Sequence, residues 1–496
     1  MRVAFVASEC EPWAKTGGLG DVVDALARAV GEAPGGPDRP VDVFLPHYRG
    51  VRVPPDARAT APLAVPDPYA AGGVTRVRLV EAAVRGYRLR LVDCPAAYDR
   101  SGYYGDSTGD YDDNPWRFGL LGRAALAALT ADVASGAAPV DVLHLHDWQS
   151  GSVAILRDGE LAGEPWVARA AIVVTLHNLA FHGWAPRDRL DQLGLRPGDG
   201  IVPIYADGID VLRAAVERAE IVNTVSPTYA AESLTPEFGF GLQDALAALG
   251  DRYLGILNGI DEAAWNPADD PALPAHYDRR DLAGKAACRR ALLEEVGLDP
   301  GDPSPVLGHV GRIDQQKGVD LIAEAAPELI SLGARVVVLG SGDARLSRQL
   351  ASAAAAGPGM AFVDAFDRDL ARRVYAGSDL FLMPSRFEPS GLTQMISMRY
   401  GTPPVARRTG GLADSIVDET TSPGAGTGFL FESASTAALI EATRAAIGVF
   451  GDGGAPAWRG LMERGMATHF GWDVSAAPRY LEVYRRAIGL RRAAAG

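Results

Sequence analysis

Two short loops in the second half of the chain carry residue types that could bind a phosphate and a sugar. The first of them, residues 311–318, follows the apolar run 306–310 and contains Arg312 and Lys317. A guanidinium can hold two phosphate oxygens at once, and an ammonium adds a mobile point charge. Cations are also common on protein surfaces, so the pair by itself leaves a purely solvated role open.

The second loop places a carboxylate before a predicted helix start. Glu388 follows the apolar run 380–383, and a helix is expected to begin near Gly391. Free N–H groups of Gly391, Leu392 and Thr393 would attract an anion. Glu388 would compete with that anion unless it binds a neutral group with hydroxyls. The alternative is a carboxylate that only interacts with the helix dipole, which is worth about 0.5 kcal/mol.

A third loop, near the N-terminus, has the composition of a phosphate-binding turn. Lys15, Gly17 and Gly18 lie between the apolar run 3–7 and an amphipathic segment, which predicts a strand, a loop and a helix. Such a loop directs backbone N–H groups at an anion. It matches neither common nucleotide fingerprint, so a tight turn that requires glycine is the alternative.

Polar and aromatic residues also follow predicted strands in the first half. His177 ends one strand, and Asp147 with Trp148 ends another. An aromatic face and a carboxylate suit a sugar, although the tryptophan could equally belong to the core. Tyr104 lies in a long loop of similar composition, and loops of that length are usually functional.

No metal site and no disulfide is predicted. His144 and His146 share a strand face, but no third ligand stands at a suitable spacing. Cys10, Cys94 and Cys288 are far apart and odd in number, so they form neither a disulfide framework nor a C-x-x-C pattern. A reducing, cytoplasmic location is therefore expected.

Length and charge limit the class of protein. The 496 residues suggest two to four domains, and the net charge of −14 opposes binding to nucleic acid or to an anionic membrane. No secretion signal is predicted, and no apolar run approaches the ~18 residues of a membrane span. Any anionic ligand must be held by a local cluster of cations.

The motifs require two α/β domains to position them. Short β-rich runs alternate with helical segments in both halves, and the pattern breaks over 262–305. This predicts two Rossmann-like, doubly wound domains, 1–255 and 262–465, that face a central cleft. The motifs at strand ends would meet in that cleft, because open α/β sheets bind ligands at the carboxyl ends of their strands.

Six ordered motifs closely resemble those of bacterial glycogen synthases and plant starch synthases. The resemblance implies the GT-B fold, with the C-terminal segment 466–496 crossing back to the first domain. It also implies transfer of glucose from ADP-glucose to the nonreducing end of glycogen or another α-1,4-glucan, with retention of configuration and without a metal or cofactor. The motifs are Lys15–Asp21, His177-Asn178, Asn258–Asp261, Gly311–Gly318, Pro384–Gln394 and Arg408–Asp414.

The resemblance also implies roles for single residues. Lys15 and the backbone of Gly17 and Gly18 would contact the donor diphosphate, while Arg312 and Lys317 would neutralise the leaving ADP with help from the helix start at 391–393. The ADP oxygen would help to deprotonate the acceptor, so no carboxylate is expected to act as nucleophile.

Other residues would hold the sugars and the base. Glu388 would hold the donor glucose, His177 would lie beside the reacting carbon, and Asn258 and Asp21 would complete the pocket. Phe366 stands where several relatives place a tyrosine near the adenine. Ser390 replaces a frequent cysteine, and Gln149 a frequent histidine. The acceptor is assigned to Tyr104, Asp147 and Trp148.

Two alternatives stay open. A related GT-B enzyme could use UDP-glucose or make a phosphorylated or nonreducing disaccharide, although the Lys15–Asp21 loop argues against it. A catalytically silent glucan-binding protein should have lost a cation or Glu388, and all are present. No oligomeric state is predicted.

Overall fold

The computed structural model describes residues 1–195, 208–451 and 453–495, and the chain forms two units. The first unit contains Met1–Val225, Ala230–Ile256 and Trp472–Gly496. The second contains Ser226–Tyr229 and Leu257–Gly471. None of the helices described is both long and apolar enough to cross a membrane.

A sheet of ten strands, counted over the described residues, forms the centre of the first unit. Two further strand pairs lie outside it. The strands are β1 (Val3–Val6), β2 (Val41–Pro46), β3 (Arg58–Ala59), β4 (Leu63–Pro66), β5 (Val74–Val84), β6 (Tyr87–Asp93), β7 (Gly105–Asp106), β8 (Gly109–Asp110), β9 (Val142–His146), β10 (Ala171–Leu176), β11 (Trp184–Pro186), β12 (Gly208–Asp210), β13 (Ile221–Thr224) and β14 (Tyr253–Gly255).

The order of the sheet is β14-β13-β10-β9-β1-β2-β6-β5-β3, with β4 paired to β5. The strands from β14 to β6 are parallel, whereas β5 is antiparallel to its neighbours. The chain thus moves outward from β1 to β6 and then returns to the other side of β1 with β9. Ligands of doubly wound sheets bind at this reversal, outside the carboxyl ends of the strands. Glu9, Asp147 and His177 follow β1, β9 and β10 there.

Helices connect these strands. The first buries one apolar side that includes Val22, Val23, Leu26 and Val30. Its periodicity is that of an amphipathic helix packed on a core. The helices of this part are α1 (Gly18–Glu32), α2 (Pro95–Tyr98), α3 (Asn114–Ala134), α4 (Ser152–Asp158), α5 (Pro165–Arg169), α6 (Val211–Arg218), α7 (Pro227–Glu232) and α8 (Gln243–Ala248), with short 3₁₀ helices at Trp148–Ser150, Arg187–Leu193 and Gly250–Arg252.

The second unit has a fully parallel sheet in the order β17-β16-β15-β18-β19-β20. This is the Rossmann order, and its reversal lies between the first and fourth strands. The loops that follow those two strands contain Lys317 and Glu388. The strands are β15 (Val306–Val310), β16 (Arg335–Gly340), β17 (Met360–Asp364), β18 (Leu380–Met383), β19 (Pro404–Arg407) and β20 (Phe429–Phe431).

Eight helices of the second unit surround this sheet within the described residues. Their apolar sides contribute to two core clusters. One cluster includes Leu307, Val336 and Leu382, and the other includes Phe381, Met395 and Ala406. They are α9 (Ala283–Glu295), α10 (Val319–Ser331), α11 (Ala344–Ala355), α12 (Arg368–Gly377), α13 (Thr393–Arg399), α14 (Gly410–Ser415), α15 (Thr436–Phe450) and α16 (Pro456–Ala467).

The chain ends with two helices that belong to the first unit, α17 (Trp472–Ser475) and α18 (Ala477–Ala495). Helix α18 packs on β9, β10 and α1. Tyr480 and Tyr484 on this helix are fully buried. Their hydroxyl groups reach the side chains of Asn223 and His144 in the central sheet.

Candidate active site

A buried carboxylate holds the N-terminal glycine loop of the first unit. Oε2 of Glu9 accepts hydrogen bonds from the backbone N–H of Thr16 at 2.6 Å and of Gly17 at 3.2 Å. Oε1 accepts one from Oγ1 of Thr16 at 2.6 Å. Because these bonds fix the loop from behind, they order the turn that leads into α1.

The two glycines face open space. Neither Gly17 nor Gly18 has a positive φ, and a Cβ built at either position would meet no atom within 4 Å. A tight turn that requires glycine therefore does not explain them. Small residues here leave room for a ligand to approach the backbone.

Two of the predicted site residues pair with each other beside this loop. Nζ of Lys15 lies 2.6 Å from Oδ1 of Asp21, in the first turn of α1, and 3.3 Å from Oε2 of Glu11. The side chains are a quarter to a third exposed. Lys15 is thus a solvent-accessible cation next to the glycine loop.

Asp147 has a strained backbone at the end of β9. Its φ of 55° and ψ of −171° lie in a region that costs a residue other than glycine about 1–3 kcal/mol. Its Oδ1 accepts a hydrogen bond from the backbone N–H of His177 at 2.7 Å, and its own N–H donates to the carbonyl of Thr175 at 3.1 Å. Burial raises the pKa of Asp147 to about 7.

His177 follows β10 and is kept neutral by its surroundings. Burial lowers the pKa of its imidazole to about 3. Its Nε2 lies 3.0 Å from Nδ1 of His146, whose own pKa is lowered well below the ordinary value by burial. At neutral pH both rings are uncharged, so His177 can offer a hydrogen bond but no positive charge.

The two aromatic candidates for the acceptor lie near these groups. The hydroxyl of Tyr104 donates to Oε1 of Glu9 at 2.6 Å and lies 2.9 Å from Oγ of Ser8. Trp148 packs edge-on against Phe118, with ring centroids 5.0 Å apart, and is half-buried. Trp148 therefore belongs partly to the core, and the rest of its surface is accessible.

The second unit carries the other predicted phosphate ligands. Arg312 is more than half exposed, and its guanidinium contacts Asp314 at 2.9 Å and Gln316 at 3.1 Å. The loop ends at Gly318, whose φ of 68° favours glycine and directs the chain into α10. Arg312 is thus held at the rim of the loop, with its guanidinium accessible.

Lys317 and Glu388 come together at the reversal of the sheet. Nζ of Lys317 lies 2.6 Å from Oε2 of Glu388, and the same oxygen accepts a hydrogen bond from Oγ of Ser385 at 3.1 Å. Both side chains are largely buried. The second unit therefore holds a cation and a carboxylate side by side.

The chain after Glu388 turns before its helix begins. Gly391 has a φ of 67°, and α13 starts at Thr393, two residues later than the sequence indicates. Leu392 is the N-cap residue. The segment rests on Gly411, whose N–H donates to the carbonyl of Glu388 at 3.0 Å.

The remaining candidates of the second unit are Asn258 and Phe366. Asn258 is buried, and its Oδ1 has no hydrogen-bond partner among the described residues. A buried polar atom of this kind needs a partner such as water, an ion or a ligand. Phe366 follows β17 and is 80% exposed, with the Arg368 guanidinium 5.9 Å from its ring.

The two histidines considered as metal ligands are engaged otherwise. Nδ1 of His144 lies 2.8 Å from the hydroxyl of Tyr484, and its Nε2 lies 2.7 Å from Oγ1 of Thr175. In the described parts of the chain, no three His, Cys, Asp or Glu side chains are grouped to hold a metal ion.

One contributor to the site, Glu9, is not predicted from the sequence. Glu9 stands three residues after the end of β1, and Glu388 stands five residues after the end of β18, so a carboxylate close behind a strand was the available indication. Lysine occurs only at positions 15, 285 and 317, although lysine and arginine together number 48. Lys15 and Lys317 are predicted site residues, and Lys285 is buried.

Comparisons with known proteins find relatives along nearly the whole chain. The family described as "Starch synthase catalytic domain" matches residues 2–248, and "Glycosyl transferases group 1" matches residues 304–448. The glycogen synthase of Anaeromyxobacter dehalogenans (strain 2CP-1 / ATCC BAA-258) is 44% identical, and the match covers 98% of this chain and 99% of the relative. That of Aromatoleum aromaticum is 43% identical over 100% of this chain and 98% of the relative.

A solved structure has the same fold. The catalytic domain of starch synthase IV from Arabidopsis thaliana, bound to ADP and acarbose, matches with a TM-score of 0.87 and 34% identity over 98% of this chain and 99% of that chain. The chain therefore belongs to the family of bacterial glycogen synthases and plant starch synthases, which are glycosyltransferases of the GT-B fold.

Proposed function

We propose that this glycosyltransferase transfers glucose from ADP-glucose to the nonreducing end of an α-1,4-glucan, with retention of configuration and without a metal or cofactor. Its place of action is the cytoplasm. The observation that carries the proposal is the contact of 2.6 Å between Lys317 and Glu388 at the reversal of the second sheet. A nucleoside diphosphate sugar joins an anion to a neutral polyol, and this pair offers one group for each.

The diphosphate is assigned to cations. Arg312 and Lys317 belong to a single loop, and the accessible guanidinium of Arg312 can bind two oxygens at once. Lys15 and the backbone at Gly17 and Gly18 contribute to the same diphosphate in this proposal. The open space in front of both glycines supports that assignment.

The nucleobase and the donor sugar are assigned to other residues of the second unit. The exposed ring of Phe366 is available for stacking on adenine, and the related starch synthase is described as bound to ADP. Glu388 would accept hydrogen bonds from glucose hydroxyls. The unpartnered Oδ1 of Asn258 would accept another.

In the first unit, His177 would lie beside the reacting carbon, with Asp21 completing the pocket. The acceptor glucan is assigned to Tyr104, Asp147 and Trp148. Their carboxylate and aromatic groups suit the hydroxyl and C–H surfaces of a sugar.

The chemistry needs charge stabilisation more than a nucleophile. The bond from the anomeric carbon to the ADP oxygen breaks, and a bond to the acceptor O4 forms on the same face. The acceptor proton passes to the departing phosphate oxygen. Negative charge grows on the diphosphate as the bond breaks, so cations placed there lower the barrier. Glu388, paired with Lys317, serves binding in this scheme.

The test is glucose transfer to glycogen with ADP-glucose and UDP-glucose measured side by side in the presence of EDTA. The variant is Lys317→Ala. The control is Arg444→Ala, which removes an exposed cation on α15 that pairs with Glu328.

Strong transfer from ADP-glucose that persists with EDTA, is lost in Lys317→Ala and persists in Arg444→Ala supports the proposal. Activity with UDP-glucose alone would overturn the choice of donor. Loss of activity with EDTA would overturn metal independence, and no transfer from either donor would overturn the proposal as a whole.

A further inference from the structure

Two hydrogen-bonded groups of buried polar side chains form a row in the first unit between α18 and His177, and they meet where the ring centroids of His144 and His146 lie 4.2 Å apart. Tyr480 and Tyr484 provide hydroxyls at one end, and His146 contacts His177 at the other. All members of the row except His177 have no exposed surface. Within each group the buried polar atoms must satisfy one another, so each hydrogen bond constrains the next one in the same group.

The donor and the acceptor of each hydrogen bond can be assigned, starting from Tyr480 on α18. The side-chain amide of Asn223 donates to the hydroxyl of Tyr480 at 3.0 Å, so its Oδ1 is the acceptor for Oγ1 of Thr175 at 2.9 Å. Since Thr175 donates its only hydroxyl proton there, it accepts from Nε2 of His144. His144 is then protonated on Nε2, and its Nδ1 accepts from Tyr484.

His146 must have the opposite tautomer. Its Nε2 is buried and has no hydrogen-bond partner among the residues that the structure describes, and its Nδ1 lies 3.0 Å from Nε2 of His177. A proton on Nε2 would be a buried N–H without an acceptor, which is rarer in folded proteins than a buried acceptor without a donor. The proton of the neutral ring therefore resides on Nδ1, and His146 donates to His177.

This bond determines the tautomer of His177. Because Nε2 of His177 accepts from His146, the proton of its neutral ring is on Nδ1. The backbone of His177 is fixed at the same time by the bond from its N–H to Asp147. In the described parts of the chain, Nδ1 of His177 contacts no hydrogen-bond partner, and the residue is half-buried.

We propose that His146 is a positioning residue that holds His177 as the Nδ1–H tautomer, so that His177 acts on the sugars only as a hydrogen-bond donor through Nδ1. The part of this proposal that concerns the sugars rests on the proposed function. The tautomer itself does not, because it follows from contacts within the first unit. His177 has no free lone pair in this arrangement and does not serve as the base for the acceptor hydroxyl.

The first measurement determines the tautomer of His177 in the wild-type protein. Full-length protein with ¹⁵N-labelled histidine in a deuterated background is recorded by NMR at pH 7.5, where ring nitrogen shifts distinguish the tautomers. The chain has eight histidines, and His177→Gln identifies the signal of interest. We expect His177 to be protonated on Nδ1. Protonation on Nε2 overturns the proposal, whether or not the protein transfers glucose.

Two variants then connect the tautomer to turnover. His146→Leu removes the donor, and we expect His177 to relax toward the Nε2–H tautomer, with kcat at least tenfold lower and KM for both substrates little changed. His146→Asn places an amide nitrogen where Nδ1 was, and we expect it to restore the Nδ1–H tautomer and most of kcat. A lower kcat with an unchanged tautomer, or a changed tautomer with an unchanged kcat, overturns the proposal.

The control variant is Tyr484→Phe. It removes a hydroxyl from the same buried row but leaves the bond between His146 and His177 intact. We expect a lower melting temperature with the tautomer of His177 and kcat both retained. A change in the tautomer of His177 in Tyr484→Phe would show a general effect of packing and overturn the specific role of His146.

Discussion

The ammonium of Lys317 lies 2.6 Å from the carboxylate of Glu388, although the two residues are 71 positions apart. Each lies in a loop that follows a strand, and those two strands, β15 and β18, are neighbours at the reversal of the second sheet. The pair is largely buried. Removal of one partner therefore leaves an uncompensated charge, which is more costly than the pair itself is stabilising.

A double-mutant cycle on this pair separates stability from catalysis. Lys317→Ala should lower the free energy of unfolding by about 1–3 kcal/mol, because Glu388 loses its partner. It should also lower kcat by about 10²- to 10³-fold, the usual cost of one group that stabilises developing charge. Adding Glu388→Gln should restore most of the stability and none of the activity. Recovery of turnover in the double variant would contradict the assigned roles.

Chemical labelling of lysine should report directly on the donor site. The chain has only three lysines, and Lys285 is buried with its ammonium bonded to two carbonyls and the hydroxyl of Thr402. The side chains of Lys15 and Lys317 are 25% and 19% exposed, so an amine-reactive reagent should modify both slowly in the folded protein and leave Lys285 intact.

ADP-glucose should slow the reaction at both accessible lysines, as measured by peptide mass spectrometry. Adenosine, which lacks the diphosphate, is the matched control and should protect neither. Equal labelling rates with and without ADP-glucose would speak against both lysines as diphosphate ligands.

Asp147→Asn should change the pH dependence of stability. Burial raises the pKa of Asp147 to about 7, compared with about 3.9 in an unfolded chain. Between these values the folded state keeps a proton that the unfolded state releases, so the free energy of unfolding falls as pH rises from 4 to 7 and then levels off. The free energy of unfolding falls by at most about 4 kcal/mol over this pH range.

The asparagine variant lacks this titration but retains an acceptor for the N–H of His177. The free energy of unfolding of the variant minus that of the wild type should rise by about 2–4 kcal/mol from pH 4 to pH 8. Urea unfolding of both proteins at both pH values measures this difference. A difference between the two proteins that is the same at both pH values would show that Asp147 titrates normally.

Gly411→Ala should displace the segment that carries Glu388. A Cβ at this position would lie 2.0 Å from the carbonyl oxygen of Ser390, so the backbone from 388 to 391 has to move. We expect about 10- to 100-fold lower kcat/KM, since small misplacements of a binding group are costly. Gly448→Ala, within α15 and facing open space, is the control and should stabilise the protein by about 0.5–1 kcal/mol. Unchanged activity in Gly411→Ala would show that the segment adapts.

The sequence was sufficient to predict the alternation of strands and helices and to identify residues that follow the strands. Glu388, His177 and Asp147 could be selected because parallel sheets expose their carboxyl ends, and the order of motifs was enough to recognise the family. The antiparallel strands β3 to β5 were not recognised. Strand β5 alternates between exposed and buried residues over only part of its length, so its local pattern is weak.

Contacts between distant residues were decided by the tertiary structure. The pairing of Glu9 with Thr16 depends on the course of a loop, and the bond from His146 to His177 depends on the register of β9 with β10. The hydroxyl of Tyr484 reaches His144 across 340 positions. Periodicity along the chain reflects which side of an element is buried, and this is local information. The partner of a buried polar atom is set by strand order and register, which exist only once the chain has folded.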